Sequence, residues 1–420
     1  MQPEHMVWWH VYPLGFLGAE GRRPDDGVVR HRLPALGPWL DYLLRLGCNG
    51  LMLGPVFASV THGYDTLDHR RIDDRLGDLA DFDALLAECR RRGIALMLDG
   101  VFNHLAREHA IVQRAITEGP DSEPGRWIRW RAGAPVAFEG HAPLVELDFA
   151  HPPVQQFIAG VMIEWLERGV AAWRLDAAYR AGASAWAPMV AAVRRRFPDA
   201  WLMGEVIHGD YGRFVAESGL SSVTQYELWK AVWSSLNDGN LHELAWAIQR
   251  NQRWHGQFLP TTFIGNHDVT RIASQLTDPR HLGHAVALLA LLPGMPCIYA
   301  GDEQGFHGVK EHRAGGDDAI RPAFPAAPGQ LAPWGAAIFE THQRLFGIRR
   351  RLPWLAQARA SLKAGSGLQA ELHVEGAAGE SVRVALNLAD QPMPRPPGQV
   401  LAASGQRHDA VEPHGWLVTA

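Results

Sequence analysis

The sequence predicts a (β/α)8 barrel that carries a small inserted subdomain after its third strand and ends in an antiparallel β-domain. Three observations point there. Eight short apolar runs of strand character alternate with stretches of helical periodicity, acidic residues gather directly after those runs, and two segments break the alternation. One barrel needs roughly 250 residues, so the 420 residues divide into 1–103 and 154–352 for the barrel, 104–153 for the insertion and 353–420 for the tail.

Val7 to Tyr12 (VWWHVY) is the first strand, and Pro34 to Gly47 follows as a helix with Leu36, Trp39, Leu40, Leu43 and Leu44 on one face. Gly50 to Leu53 is the second strand; it breaks at Gly54-Pro55 and feeds a polar loop, Thr61 to Asp65. Phe82, Leu85, Leu86 and Cys89 repeat at helical spacing up to Gly93, a residue suited to a helix C-terminus. Ile94 to Leu98 forms the third strand and ends in Asp99. From Asn103 to Pro153 the chain holds Trp127 and Trp130 among glycines and prolines, with little periodicity. So long a loop inside a compact domain is usually functional, which makes it the inserted subdomain.

Val154 to Arg168 is the clearest helix, and it delivers the chain to a fourth strand, Ala171 to Leu175, that stops abruptly at Asp176. Trp186, Met189, Val190, Val193 and Phe197 mark the next helix. Trp201 to Met203 is a strand followed by Glu205, and Ser222 to Thr224 is the sixth. Thr261 to Ile264 runs into Gly265-Asn266-His267-Asp268, and Cys297 to Tyr299 into Gly301-Asp302-Glu303. Trp334 to Leu352 is the last helix. From about Ala356, short alternating runs separated by Gly and Pro read as the antiparallel β-domain. In such a barrel the site lies at the C-terminal ends of the strands, where the acidic residues fall.

A formal net charge of −5 argues against nucleic acid or an anionic membrane as the main partner. Arg90 to Arg92, Arg194 to Arg196 and Arg349 to Arg351 come late in helices, where cations favour the negative end of the dipole, and read as solvated faces. The three cysteines, Cys48, Cys89 and Cys297, lie in apolar contexts and are expected as buried free thiols. The first ten residues lack a secretion-signal pattern, and the longest apolar run, Ala285 to Ala300, is broken by Pro293, Gly294 and Pro296. A cytoplasmic enzyme without a membrane span is the expectation, with monomer or homo-oligomer left open.

Side chains alternate along a strand, so Arg174 and Asp176 project on the same side, and the guanidinium is expected to keep Asp176 ionised. Glu205, with no Arg two residues away, is the carboxyl expected to stay protonated beside its like-charged neighbours. An ionised and a protonated carboxyl facing one another are the apparatus of glycoside hydrolysis. Asp99, Asn103, His104, His267 and Asp268 complete the set of strand-end polar residues.

DGVFNH (Asp99 to His104), WRLDAA (Trp173 to Ala178), GEV (Gly204 to Val206) and FIGNHD (Phe263 to Asp268) resemble, in order, the four signature regions of the α-amylase family of glycoside hydrolases. HGYD (His62 to Asp65) and GMPCIYAGDE (Gly294 to Glu303) resemble further motifs of that family. The resemblance implies a retaining mechanism with Asp176 as nucleophile, Glu205 as general acid/base and Asp268 as a third carboxylate gripping sugar hydroxyls. It makes Arg174 the residue that orients Asp176, gives His104 and His267 sugar hydroxyls to bind, and stacks Tyr64 under a pyranose ring. Asp317 and Arg321 match a family pair that contacts the next sugar, whereas Asp99, His62 and Asp65 support the site. Trp127, Trp130 and Trp254 are the candidate sugar platforms.

No cofactor is required for this chemistry. Ca2+ is the one metal the resemblance allows, with Asn103 as its candidate ligand; Asn103 reads equally as a loop-fixing amide. Many true α-amylases carry Lys-His where this chain has Tyr179-Arg180, which favours short malto-oligosaccharides or related α-glucans over granular starch. The oligosaccharide is the expected partner. Three alternatives stand beside hydrolysis: a transglycosylase or isomerase of the same family, such as a trehalose-forming enzyme; a non-catalytic sugar-binding subunit; and a dinuclear-metal phosphoesterase suggested by GDLAD and GNHD. The last lacks the further motifs that class needs.

Overall fold

The computed structural model describes residues 2–313 and 315–420; Met1, in the first barrel segment, and Ala314, in the loop before the last helix, lie outside the described residues. Eight parallel strands form the barrel: β1 (Trp8–Val11), β2 (Gly50–Leu53), β3 (Ala95–Gly100), β4 (Ala172–Leu175), β5 (Trp201–Gly204), β6 (Ser222–Val223), β7 (Thr261–Phe263) and β8 (Met295–Tyr299). They pair in the spatial order β6-β5-β4-β3-β2-β1-β8-β7. A parallel bridge between Thr224 and Thr261 joins β6 to β7 and closes the ring.

Nearly every strand residue is buried, because helices cover the outside and side chains fill the inside. Alternation sorts them. Trp8, Met52, Met97, Ala172, Met203, Phe263, Met295 and Cys297 fill the barrel interior, whereas Trp9, Leu51, Leu53, Leu96, Leu98, Trp173 and Leu175 face the helices. Four of these are methionines, unbranched and adaptable side chains that fill irregular interior gaps.

The helical layer comprises α1 (Gly37–Leu46), α2 (Leu79–Arg91), α3 (Pro152–Arg168), α4 (Ala183–Arg196), α5 (Tyr211–Ser218), α6 (Tyr226–Asp238), α7 (Leu241–Asn251), α8 (Leu282–Leu291) and α9 (Ala336–Arg351). Asp78 and Asp81 form a reciprocal capping box at the start of α2, and Gly169 ends α3 at φ 112°. Arg349 departs from the expected solvated face. It is buried, and its guanidinium donates to the carbonyls of Ala290 and Leu292, at 2.8 and 2.9 Å, where α8 ends. Those carbonyls have no intrahelical partner, so a buried arginine satisfies them. All three cysteines are buried free thiols.

The insertion is more regular than its sequence suggests. His104–Ala106, His141–Glu146 and Ala137–Phe138 form a three-stranded antiparallel sheet, with a helix, Ala110–Glu118, at its flank. That helix buries only Val112 and Ala115, too narrow a stripe to register as periodicity. In the tail, β9 (Arg359–Ser366), β10 (Gln369–Glu375), β11 (Ser381–Asn387), β12 (Val400–Ala403) and β13 (Trp416–Thr419) form an antiparallel sheet in the order β9-β10-β11-β13-β12.

The acidic pair after β8 is structural. Glu303 is fully buried; its carboxyl accepts the Tyr42 hydroxyl of α1 at 2.8 Å and the Gly301 N–H at 3.0 Å. Burial pushes its carboxyl up to about 7 from 4.5. Because the folded protein holds this proton more tightly than the unfolded chain, the stabilisation is complete below pH 4.5 and is lost as pH rises through 7. Urea unfolding at pH 5 and 7.5 is expected to show a smaller loss across that interval in Glu303→Gln than in wild type. Equal losses in the two proteins would sink this account.

Candidate active site

Strand register brings the central cluster together. Arg174 on β4 lies directly across from Asp99 on β3 and from Met203 on β5, two residues before Glu205. One guanidinium then meets three carboxyls. Arg174 Nη1 lies 2.8 Å from both Asp99 oxygens and 2.9 Å from Asp176 Oδ1, and its Nη2 lies 2.8 Å from Glu205 Oε2. All four side chains are buried.

Glu205 is held at both oxygens. Oε2 also accepts the Ala177 N–H at 2.9 Å, and Oε1 accepts the Tyr226 hydroxyl at 2.9 Å. The Asn266 amide donates to that same hydroxyl at 2.9 Å. Ala177 adopts a left-handed conformation, φ 42°, which costs an alanine roughly 1–2 kcal/mol and turns the chain sharply after Asp176. Strain of this kind persists where neighbouring structure over-determines it.

A second group lies at the end of β7. Asp268 Oδ2 is 3.0 Å from His267 Nε2, and Asp268 Oδ1 accepts from Arg321 at 2.8 Å; Arg321 also pairs with Asp317 at 2.9 Å. Tyr64 joins the two groups. Its hydroxyl donates to Asp99 Oδ2 at 2.9 Å and contacts His267 Nε2, and its half-buried ring stacks on His267 at 5.3 Å and 9°. Gly265, just after β7, leaves room for the buried carboxyl of Asp302, with which a β-carbon there would collide.

The remaining expected residues frame the cluster. His104 is buried against Phe138, with Nε2 2.7 Å from the Tyr64 carbonyl. Asp65 accepts the Thr61 N–H and hydroxyl at 2.8 and 2.5 Å, fixing the loop that presents Tyr64, and His62 lies exposed beside it. Trp127 packs against Phe157, Trp130 bonds the Gly125 carbonyl and Trp254 packs edge-on to Tyr211, and each is only half-buried. Tyr226, Asn266 and Tyr12 escaped the sequence reading. Tyr12 bonds the His62 carbonyl at 2.8 Å and carries the Arg321 guanidinium over its ring. A polar aromatic immediately after β1 was the available signal for Tyr12, whereas Tyr226 opens α6 and carries no such mark.

The electrostatics correct one expectation. Arg174 does not serve Asp176 alone; it is shared with Glu205 and Asp99. Burial pushes Asp176 well above the usual carboxylate range, opposed by Arg174 and reinforced by the charges of Glu205, Asp99 and Asp268. Burial likewise raises Asp99, to about 6, against the pull of Arg174. Burial thus favours the protonated forms of Asp176 and Asp99 while Arg174 opposes it, so the two carboxyls titrate as a linked pair around their shared cation. His267 is pushed far below its ordinary value by burial and by Arg321 and Arg174, so its ring is neutral at pH 7.

The residues around Asn103 do not fit Ca2+. Its amide nitrogen bonds the Asp176 carbonyl, leaving Oδ1 buried with no partner among the described residues. Glu146, opposite His104 in the insertion, is already held by Arg129 and Arg180, both at 2.9 Å. A hard cation that takes six to eight oxygens gains little from one amide oxygen and a carboxylate occupied by two guanidinium groups. The loop-fixing reading of Asn103 suits this geometry.

A parallel barrel closed around a packed interior, with its carboxyl cluster at the C-terminal strand ends, defines a class of enzyme, and residues 36–326 match the family model described as alpha amylase, catalytic domain. The chain belongs to the α-amylase family of glycoside hydrolases. It is 29% identical over 404 residues to a cyclomaltodextrinase of a Bacillus species, covering 86% of this chain and 67% of that protein. An intracellular maltogenic amylase of Bacillus subtilis is 27% identical over 337 residues, 73% of this chain and 56% of the relative. Among solved structures, the cyclic α-maltosyl-(1→6)-maltose hydrolase of Arthrobacter globiformis superposes with a TM-score of 0.83 at 23% identity, over 99% of each chain, a likeness of fold.

Proposed function

We propose that this chain is a retaining α-glycoside hydrolase of short malto-oligosaccharides and related α-glucans. The observation that carries the reading is the sharing of Arg174 between Asp176 and Glu205. Two carboxyls bound to the two terminal nitrogens of one guanidinium are close neighbours, and the likeness of their segments to the family's signature regions makes them the retaining pair, for which a spacing of ~5–5.5 Å is expected. The chemistry also needs one proton on the pair, which in this reading rests on Glu205.

In this reading Glu205 gives its proton to the glycosidic oxygen as the C1–O bond breaks, and Asp176 forms the new bond to C1. Water then attacks C1, Glu205 takes back a proton, and Asp176 leaves as carboxylate. Arg174 orients Asp176, and Asp268, steadied by Arg321, grips ring hydroxyls where positive charge develops. His104 and His267 border the sugar, Tyr64 lies under it, and Asp317 with Arg321 meets the next unit. The proposal keeps 1–103 and 154–352 as the catalytic barrel, 104–153 as the insertion and 353–420 as the C-terminal domain. The relatives' names support malto-oligosaccharides and a cytoplasmic site of action. No helix of the described residues is long and apolar enough to cross a membrane.

The deciding experiment is anomeric NMR with chromatography of products from maltose, maltotriose, isomaltose, trehalose and sucrose. Glucose or short maltosides released as the α-anomer support the proposal. Release of the β-anomer, or rearranged sugars without net hydrolysis, would overturn it, the latter in favour of the transferase. Tyr64→Phe tests the bridge between the two groups: losing the hydroxyl that donates to Asp99 should lower kcat/KM about 10- to 100-fold in a protein that still folds. Unchanged kcat/KM would remove Tyr64 from the site.

A further inference from the structure

Where the C-terminal domain meets the barrel, two imidazoles face one another. His281, just before α8, points its Nε2 at the Nδ1 of His414, in the turn that leads into β13, at 3.1 Å. The rings lie nearly parallel, 5.3 Å apart. Asp278 Oδ2 lies 4.0 Å from the first nitrogen and 3.9 Å from the second. His414 adopts φ 52°, the left-handed region that a β-carbon disfavours.

The hydrogen bonds on the far sides of the rings decide what this cluster can hold. His414 Nε2 lies 2.8 Å from Asp390 Oδ1, which places a proton on that nitrogen and leaves Nδ1 as a lone pair aimed at His281. The His281 ring makes its other hydrogen bond to the backbone of Leu236. His281 is buried, so water does not relieve the confrontation of two acceptor nitrogens. A cation between them does. Tetrahedral coordination at ~2.0–2.1 Å separates two ligand nitrogens by about 3.3 Å, and Asp278 need move by less than about 1 Å to join them.

We infer that Asp278, His281 and His414 form a binding site for a divalent transition metal of the zinc type, with Asp390 as the outer carboxylate that orients His414. Two imidazoles and one carboxylate suit Zn2+ and discriminate against Ca2+ and Mg2+, which take oxygen ligands. Asp278 is shared with Arg280, whose guanidinium lies 2.6 Å from Oδ2, but that side chain is more than half exposed and can turn to solvent. The metal would pin the C-terminal domain to α8 of the barrel, beside the contact already made by His284, whose Nε2 donates to the Gly415 carbonyl at 2.9 Å. The inference is independent of which glycoside is cleaved.

The test uses the full chain, stripped with chelator and titrated calorimetrically with Zn2+ alone, alongside His414→Gln, His281→Gln and Asp390→Asn. The expected result is one equivalent bound by wild type and lost in both histidine variants, with a weakening of about 10- to 100-fold in Asp390→Asn. Co2+ alone should give wild type, and not His414→Gln, the intense visible bands of a tetrahedral site. His414 is the less buried histidine, so His414→Gln carries the test if His281→Gln fails to fold. No high-affinity equivalent in wild type, the same equivalent in His414→Gln, or equal binding of Ca2+, would each overturn the inference; a proton shared between the rings would then be the explanation.

Discussion

Asp176→Asn should reduce turnover of maltotriose by at least ~10^4-fold, within the range seen when an enzyme nucleophile is removed. The amide occupies the volume of the carboxylate, so its contact with Arg174 and the turn at Ala177 can survive, and circular dichroism and thermal unfolding should match wild type closely. Electrostatics adds a second expectation. Burial is the main cause that lifts Asp176 above the usual carboxylate range, and the charges of Glu205, Asp99 and Asp268 add to it. Removing the Asp176 charge takes one like-charged neighbour from Asp99, whose carboxyl stands at about 6. Any titration of Asp99 followed by NMR should therefore move towards lower pH in the variant. Wild-type turnover by Asp176→Asn would end the assignment of Asp176 as nucleophile and, with it, the retaining mechanism proposed here.

Arg174→Met is expected to have the largest effect on stability. The guanidinium is buried and is the shared partner of Asp99, Asp176 and Glu205, so its removal leaves three buried carboxyls without their cation. Breaking a buried charge network in this way costs about 3–5 kcal/mol. The pH dependence follows from linkage. Without Arg174 the three carboxyls hold their protons in the folded state more tightly than in the unfolded chain, so the deficit is small near pH 4 and grows as pH rises towards neutrality. Urea unfolding at pH 5 and 7.5 measures both quantities. A variant as stable as wild type at pH 7.5 would show that the carboxyls are not charged around Arg174 in the folded protein. Activity is expected to disappear as well, but that loss alone does not separate orientation of Asp176 from collapse of the cluster.

The three carboxylates were legible because they stand at strand ends, within motifs short enough to read along the chain. Arg174 and Asp176 share a side by the two-residue period of a strand, and the structure places them so. The distribution of the guanidinium was not legible. Two-residue spacing said that Glu205 lacked an arginine of its own, whereas the parallel register of β4 and β5 carries Glu205 to the far nitrogen of Arg174. Tyr226 and Asn266 were hidden for the same reason, since Tyr226 reaches Glu205 from the start of α6 and Asn266 reaches Tyr226 from the loop after β7, both outside the segment that carries Glu205. Arg349 looked like one of three solvated arginines because helix periodicity does not reveal which neighbouring helix ends against it.

By itself the sequence determined the barrel, the family, and the identity and order of the strand-end carboxylates. All of these rest on local periodicity and on contiguous motifs. Only the tertiary structure decided which carboxyls share a cation, that the neighbourhood of Asn103 is suited to a loop and not to calcium, and that histidines 133 positions apart meet at the junction with the C-terminal domain. Charge sharing depends on distances of 3–4 Å between segments remote in sequence, and Coulomb energies that steep are fixed by packing and register, which no linear pattern of residues contains.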